Sequence, residues 1–286
     1  MALKRQPHTV FPGRVPYAAR CWLVAIVAAI VLAAFCRPGS CASSPMPVVP
    51  VQDESAEGCR SCAEFNRLTI RVRDGEISRT AAKQEMTRLF PALRAYYYGH
   101  GGKDFPEDAW VFPLMGYSAK AVGEGSNHGY EPRGYDYFAG NRHGGHPAFD
   151  IFIRDRDQNE RDDLTGDYVA VLSLTGGVVV ALEPDWEAGS LLRGGKYLWV
   201  YDPASDALVY YAHNRQLFVG LGDLVRPGDL VAEVGRTGLN AYRKRSPTHL
   251  HLSYLKIDDG TPLPKNIYQR LTRCRTMNGI GLKQEE

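Results

Sequence analysis

Residues 248–255 read THLHLSYL, a run in which Leu250, Leu252 and Tyr254 alternate with His249, His251 and Ser253. Side chains two apart on a strand leave the same face. His249 and His251 therefore point together, while Leu250 turns into a core. Working outward, the same texture recurs as short β-rich runs at 110–114, 149–154, 168–174, 177–183, 197–201, 207–212 and 229–234, broken by glycine and proline. With 29 Gly and 18 Pro in 286 residues, the punctuation suits short strands better than long helices. The expected fold is mainly β, an antiparallel-sheet domain over 110–275. A short helical region over 58–109 precedes it, and an N-terminal transmembrane or signal segment precedes that. Within 58–109, Ile77, Ala81, Met86, Leu89, Leu93 and Tyr97 recur at helical spacing. Pro91 predicts a kink or a split there, and Gly99, Gly101 and Gly102 an end. A short helix at most is expected over 266–273, followed by a tail over 276–286.

The first residues carry a different signal. Lys4, Arg5, Arg14 and Arg20 precede an uncharged apolar run, 21–36, slightly short for a comfortable membrane span and slightly long for a signal core. Either role sends the chain downstream across a membrane and keeps the basic segment 1–20 cytoplasmic. The long basic leader favours an uncleaved anchor, and hence an inner-membrane protein with its main domain in the periplasm. Secretion is the alternative, as is a lipid anchor at Cys36 or Cys41. Residues 37–57, rich in Pro, Ser and acidic side chains, read as a linker.

Lys plus Arg number 34 against 32 Asp plus Glu, a formal net charge of +2. That gives no electrostatic case for nucleic acid. Of the 6 cysteines, Cys59 and Cys62 form a lone C-x-x-C. No second pair follows at zinc-ribbon spacing and no redox-fold context surrounds it, so a disulfide is the preferred reading in an exported chain. Pairing of either with Cys274 stays open.

The chemistry is concentrated in histidines. In His146-Pro-Ala-Phe-Asp150 the even spacing lets imidazole and carboxylate converge if a strand begins at Phe149, with Pro147 and the preceding glycines turning the chain. With His251 from the H-x-H run, two histidines and one carboxylate leave a fourth position for water. That distinguishes a catalytic zinc site from a closed structural one. His143, in HGGH, lines the groove or supports the ligands, because its own carboxylate position is filled by Pro147. His213 lies in VYYAHNRQLFV. Tyr210 and Tyr211 beside it each offer a hydroxyl donor, with cross-strand packing as the competing use.

These segments, together with WVFPLMG at 110–116 and the V-x-x-G-D-x-V-A-x-V-G-x-T-G run ending at Gly238, resemble the LytM/lysostaphin-type zinc metallopeptidases. The resemblance spans roughly 110–254. It implies one Zn2+ per chain held by His146, Asp150 and His251, with His213 and His249 as catalytic histidines. The reaction it implies is cleavage of peptidoglycan stem-peptide cross-links by zinc-activated water. No H-E-x-x-H helix supplies a glutamate base, so imidazoles fill that role. The long segments around Tyr135, around Trp186 and at 241–247 depart from the family pattern and bear on groove shape. Three partners are expected: peptidoglycan, the membrane through 21–36, and other cell-wall enzymes. The alternative function is a peptidoglycan-binding or hydrolase-activating domain without turnover. A structural metal site in an exported β-protein is a further one.

Overall fold

A computed structural model describes residues 58–278. Helix α1, Arg60–Asp74, starts where the Cys59 side chain caps the Cys62 N–H, and stops at Gly75, whose φ of 75° supplies the left-handed C-cap. Cys59 and Cys62 are joined as a disulfide across this first turn, and Cys274 keeps a free thiol. Helix α2, Arg79–Gly99, is capped by Ser78, which accepts from the Ala81 N–H. It buries Ala82, Met86, Leu89, Phe90, Leu93 and Tyr97, one stripe at three- and four-residue spacing. Pro91 lies inside α2 and does not split it. Pro91 is exposed, whereas Leu89, Phe90 and Leu93 on either side are buried, so packing carries the helix past the missing N–H. Phe90 meets Phe65 of α1 at 5.6 Å, closing a helical hairpin.

The strands are β1 Phe149–Phe152, β2 Ala170–Leu172, β3 Gly177–Glu183, β4 Lys196–Asp202, β5 Ala207–Leu217, β6 Leu224–Val225, β7 Leu230–Val234, β8 His249–Asp258 and β9 Thr261–Pro264. They form one nine-stranded sheet in the order β1-β8-β5-β4-β3-β6, with β7 joining β5 and β2, and β9 joining β8. The ladders are antiparallel. A short helix α3, Tyr268–Leu271, follows.

Strand parity divides the interior. Leu250, Leu252 and Tyr254 of β8, Phe149 and Ile151 of β1, and Val209 and Tyr211 of β5 share one apolar cluster with Trp110 and Phe112. On the other face Leu255, Leu208, Ala212, Trp199 and Tyr201 pack beneath the helical hairpin. There Phe90 reaches Tyr201 of β4 at 5.2 Å, and Arg73 of α1 bonds Glu183 of β3 at 2.8 Å. The hairpin covers one end of this face only.

Three expectations are corrected. The fold is mixed α/β rather than mainly β, because helices of 15 and 21 residues supply one layer of the core against the sheet. Residues 110–114 make isolated bridges, Val111 to Arg275 and Leu114 to Val171, in place of a strand. The membrane-anchored, inner-membrane assignment is also corrected. Among the described residues no helix is long and apolar enough to cross a membrane. The run 21–36 on which that assignment rested lies outside the described residues, as do the basic segment 1–20 and the linker 37–57.

Candidate metal centre

Residues on β1, β5 and β8, with the turns that lead into them, bring the polar side chains together. Antiparallel pairing sets Asp150 opposite His251 and Phe152 opposite His249, and Ala212 opposite His251. Phe149 and Ile151 anchor β1 in the apolar cluster, so Asp150 must face the other way, onto the side of His249 and His251. His146 precedes the strand. It is held by a two-way backbone pairing with Glu131, N–H to carbonyl at 2.6 and 2.8 Å, in a turn where Gly145 takes a φ of 72°.

The three groups converge on a single oxygen. Asp150 Oδ1 lies 3.3 Å from His146 Nε2 and 3.0 Å from His251 Nδ1. One ligand atom from each of the three residues lies within 4.8 Å of the others. Donors each about 2.0–2.2 Å from a tetrahedral zinc are spaced at much these distances, so the set fits such an ion. His146 Nδ1 bonds the Gly129 carbonyl at 2.9 Å. That carbonyl can only accept, which puts the proton on Nδ1 and leaves Nε2 free as a ligand.

The local charges are strongly perturbed. Burial works to raise the Asp150 carboxyl, but hydrogen bonds from His146 and His251, and the nearby imidazoles of His251 and His249, outweigh it and hold the group well below the usual carboxylate range. For His251 burial wins over Asp150 and pushes the imidazole down. For His146 burial also opposes the charge, yet the bond to Asp150 prevails and the pKa rises.

His213 reaches the centre by a backbone irregularity. On β5, Val209 and Tyr211 face the apolar cluster, and strict alternation would send His213 the same way. Instead the ladder slips: Lys196 pairs with Asn214 and Leu198 with Tyr211. His213 takes a φ of 66°, a conformation costly for a side chain of this kind. The bulge turns its ring to 5.0 Å from that of His249 and 5.5 Å from that of His251. His213 Nδ1 bonds the Thr237 carbonyl at 2.8 Å, and His249 Nδ1 bonds the Pro247 carbonyl at 2.7 Å. Burial pushes His213 well below the ordinary histidine value, and the neighbouring His249 and His251 push it further. His213 is therefore neutral at pH 7.

The centre opens into a cavity of about 340 Å³. His143 and Tyr210 line it. Tyr211 does not, since it faces the opposite cluster and its hydroxyl accepts from the Leu174 N–H at 2.8 Å. Thr69 and Val72 of α1, with Trp199 of β4, complete the wall beside Tyr135, and nothing in the sequence singles these three out. Burial drives the Tyr135 and Tyr210 phenols well above their ordinary value, so both hydroxyls remain donors. No spacing rule in the sequence links α1 to residues more than 60 positions away, although the aromatic texture around Tyr135 marked an unusual segment.

Comparison with known proteins gives one family. The sequence model described as Peptidase family M23 matches residues 163–263, a span that holds His213, His249 and His251 and begins after Asp150. Among curated proteins no match is found. Among solved structures, a zinc containing peptidase from Vibrio cholerae is similar at 22% identity and a TM-score of 0.35, over 54% of this chain and 38% of that one. The antimicrobial peptidase lysostaphin from Staphylococcus simulans is similar at 18% identity and a TM-score of 0.35, over 56% and 53%. A putative glycyl-glycine endopeptidase lytM from Ruminococcus gnavus is similar at 19% identity and a TM-score of 0.39, over 77% and 89%. The chain thus spans about half or less of the first two, and likenesses at these scores carry no argument about activity.

Proposed function

We propose that the protein is a zinc-dependent endopeptidase that hydrolyses peptide cross-links of bacterial cell-wall peptidoglycan, a reading supported by the match of residues 163–263 to the model described as Peptidase family M23. One observation carries the reading: Asp150 Oδ1 lies between His146 Nε2 and His251 Nδ1 on a sheet face that also presents His213 and His249. His146, Asp150 and His251 would hold the ion, which when bound would supply Lewis-acid polarisation of the scissile carbonyl and a pKa near neutrality for water at the site.

The remaining work falls to this chain's own groups. Hydrolysis adds a water oxygen to the peptide carbonyl carbon and breaks the C–N bond, so one proton must leave the water and one must reach the leaving nitrogen. His213 and His249 each commit Nδ1–H to a backbone carbonyl, which leaves Nε2 as the acceptor atom. His213, kept neutral by burial, takes the water proton at Nε2 and returns it to the leaving amine. His249 Nε2, 3.6 Å from Asp150 Oδ1, shares the transfer and, once protonated, donates toward the developing oxyanion. The cavity beside them, lined by Tyr135, Trp199 and Tyr210, excludes water from one side of the bound peptide. The cell-wall substrate rests on the resemblance of the HPAFD, YYAH and THLH segments to the LytM/lysostaphin type.

The test is incubation of the purified full chain with peptidoglycan sacculi, with metal content measured and products identified by mass. One zinc per chain and release of fragments with new termini at the cross-link are expected. Stoichiometric zinc without fragments would overturn the enzyme and leave a wall-binding domain. His213→Ala and His249→Ala are expected to retain zinc and fold and to lose turnover.

A further inference from the structure

Arg236 is a buried cation that the proton-transfer scheme does not use. It lies just after β7, in the G-x-T-G turn, and is 8% exposed. Its guanidinium makes three bonds: Nη2 to the Arg243 carbonyl at 2.9 Å, and Nη1 to the Ser246 carbonyl at 2.8 Å and to Thr248 Oγ1 at 3.1 Å. Thr248, itself buried, donates a hydroxyl hydrogen bond to Asp155 Oδ2 at 2.5 Å. Asp155 is buried too, and its oxygens also accept the N–H groups of Asn159 and Glu160 at 2.9 and 2.8 Å. The charge is thus delivered to carbonyls on one side and relayed through a hydroxyl to a carboxylate on the other. A buried arginine is tolerated when its donors are met in this way.

The placement of these bonds is what gives them meaning. Arg236 is the peptide neighbour of Thr237, whose carbonyl bonds His213 Nδ1. The residues it grips, Arg243, Ser246 and Thr248, bracket Pro247, whose carbonyl bonds His249 Nδ1. The grip falls on 243–248, at the end of the 241–247 segment that departs from the pattern of the resembling family. A histidine whose Nδ1 loses its carbonyl partner is free to carry the proton on Nε2 instead, which removes the acceptor.

We propose that Arg236 is a positioning residue that holds both orienting carbonyls, Thr237 O and Pro247 O, in register, and so fixes His213 and His249 in the Nδ1–H form with Nε2 aimed into the cavity. The role is carried out through the two histidines, not by contact with substrate. It rests on the reading of those histidines as the proton-transfer groups.

The test is histidine-selective 15N NMR of the full chain, metal-free and zinc-loaded, for wild type, Arg236→Lys and Thr248→Val. Thr248→Val removes one link at nearly constant volume, so it reports even if loss of the guanidinium prevents folding. Wild type is expected to show His213 and His249 each as a single Nδ1–H tautomer. The variants are expected to show a tautomer mixture at His249, zinc content unchanged, kcat on sacculi lowered roughly 10–100-fold and KM within about twofold. Wild-type rings protonated at Nε2, or a folded variant with both tautomers and kcat intact, would overturn the proposal. Fixed tautomers that loosen in the variants, in a protein that cleaves no cross-link, would uphold the positioning role and sink the peptidase reading alone.

Discussion

On β8, Leu250, Leu252 and Tyr254 turn to one face of the sheet, and His249, His251 and Ser253 to the other. The first face is filled by an apolar cluster from end to end. The second is divided: the helical hairpin covers the end around Leu255, Leu208 and Tyr201, and the opposite end stays open with His146, Asp150, His213, His249 and His251 gathered on it. One face thus stores stability and the other trades part of its burial for chemistry. The hairpin shares in both, since Thr69 and Val72 of α1 reach the cavity wall.

Replacing Asp150 with Ala tests the open face and has the largest expected effect. Without the oxygen on which His146 and His251 converge, zinc is lost and turnover falls on the order of 10³-fold or more, while thermal unfolding of the metal-free chain changes little. Leu252→Ala tests the filled face. It is expected to cost about 2–5 kcal/mol of stability, with zinc bound per folded molecule unchanged in metal analysis. A reversal of these two outcomes would break the division between faces.

Gly238→Ala tests how closely the open end is fitted. Gly238 has a φ of +115°, and a Cβ there would lie 2.5 Å from the Arg193 carbonyl oxygen and 2.8 Å from His213 Nδ1. A destabilisation of about 1–3 kcal/mol by denaturant unfolding is expected, together with loss of turnover, because His213 must move.

Titration sharpens the comparison by the smallest effect. His213 is depressed below 6.5 in the folded chain, so between that lower value and 6.5 the unfolded chain binds more protons. Its contribution to stability is complete above about pH 6.5 and is lost as the pH falls, by about 1.4 kcal/mol per pH unit at most. Unfolding of the metal-free chain from pH 7.5 to 5 should therefore be steeper in pH for wild type than for His213→Gln. Equal slopes would show that His213 titrates as if exposed.

What the sequence made legible follows from periodicity. The H-x-H run on β8 and the even step from His146 to Asp150 could be read because strands repeat every two residues. The same rule fails at His213, where alternation points the ring into the apolar cluster and only a bulge at φ 66° brings it back. It fails for Tyr211 by success, since that side chain obeys the alternation and leaves the groove. Helix α2 runs through Pro91 because buried neighbours outweigh one lost bond, a tertiary effect invisible to local propensity. The mixed α/β character was hidden for a related reason: the helices occupy a short stretch of sequence yet supply a full core layer against one end of a sheet face. The grip of Arg236 on 243–248 could not be read at all, since an arginine in a turn looks like a solvated charge until its burial is known.

In the proposed function, a metal held by His146, Asp150 and His251 drives peptide hydrolysis. Its most direct measurement is the rate of cross-link cleavage by the full chain, stripped of metal by a chelator and then titrated with zinc. The rate is expected to vanish on stripping and to return fully at one equivalent of zinc per chain, with Asp150→Ala showing no return. Undiminished cleavage by the stripped protein, or none after one equivalent is bound, would contradict it.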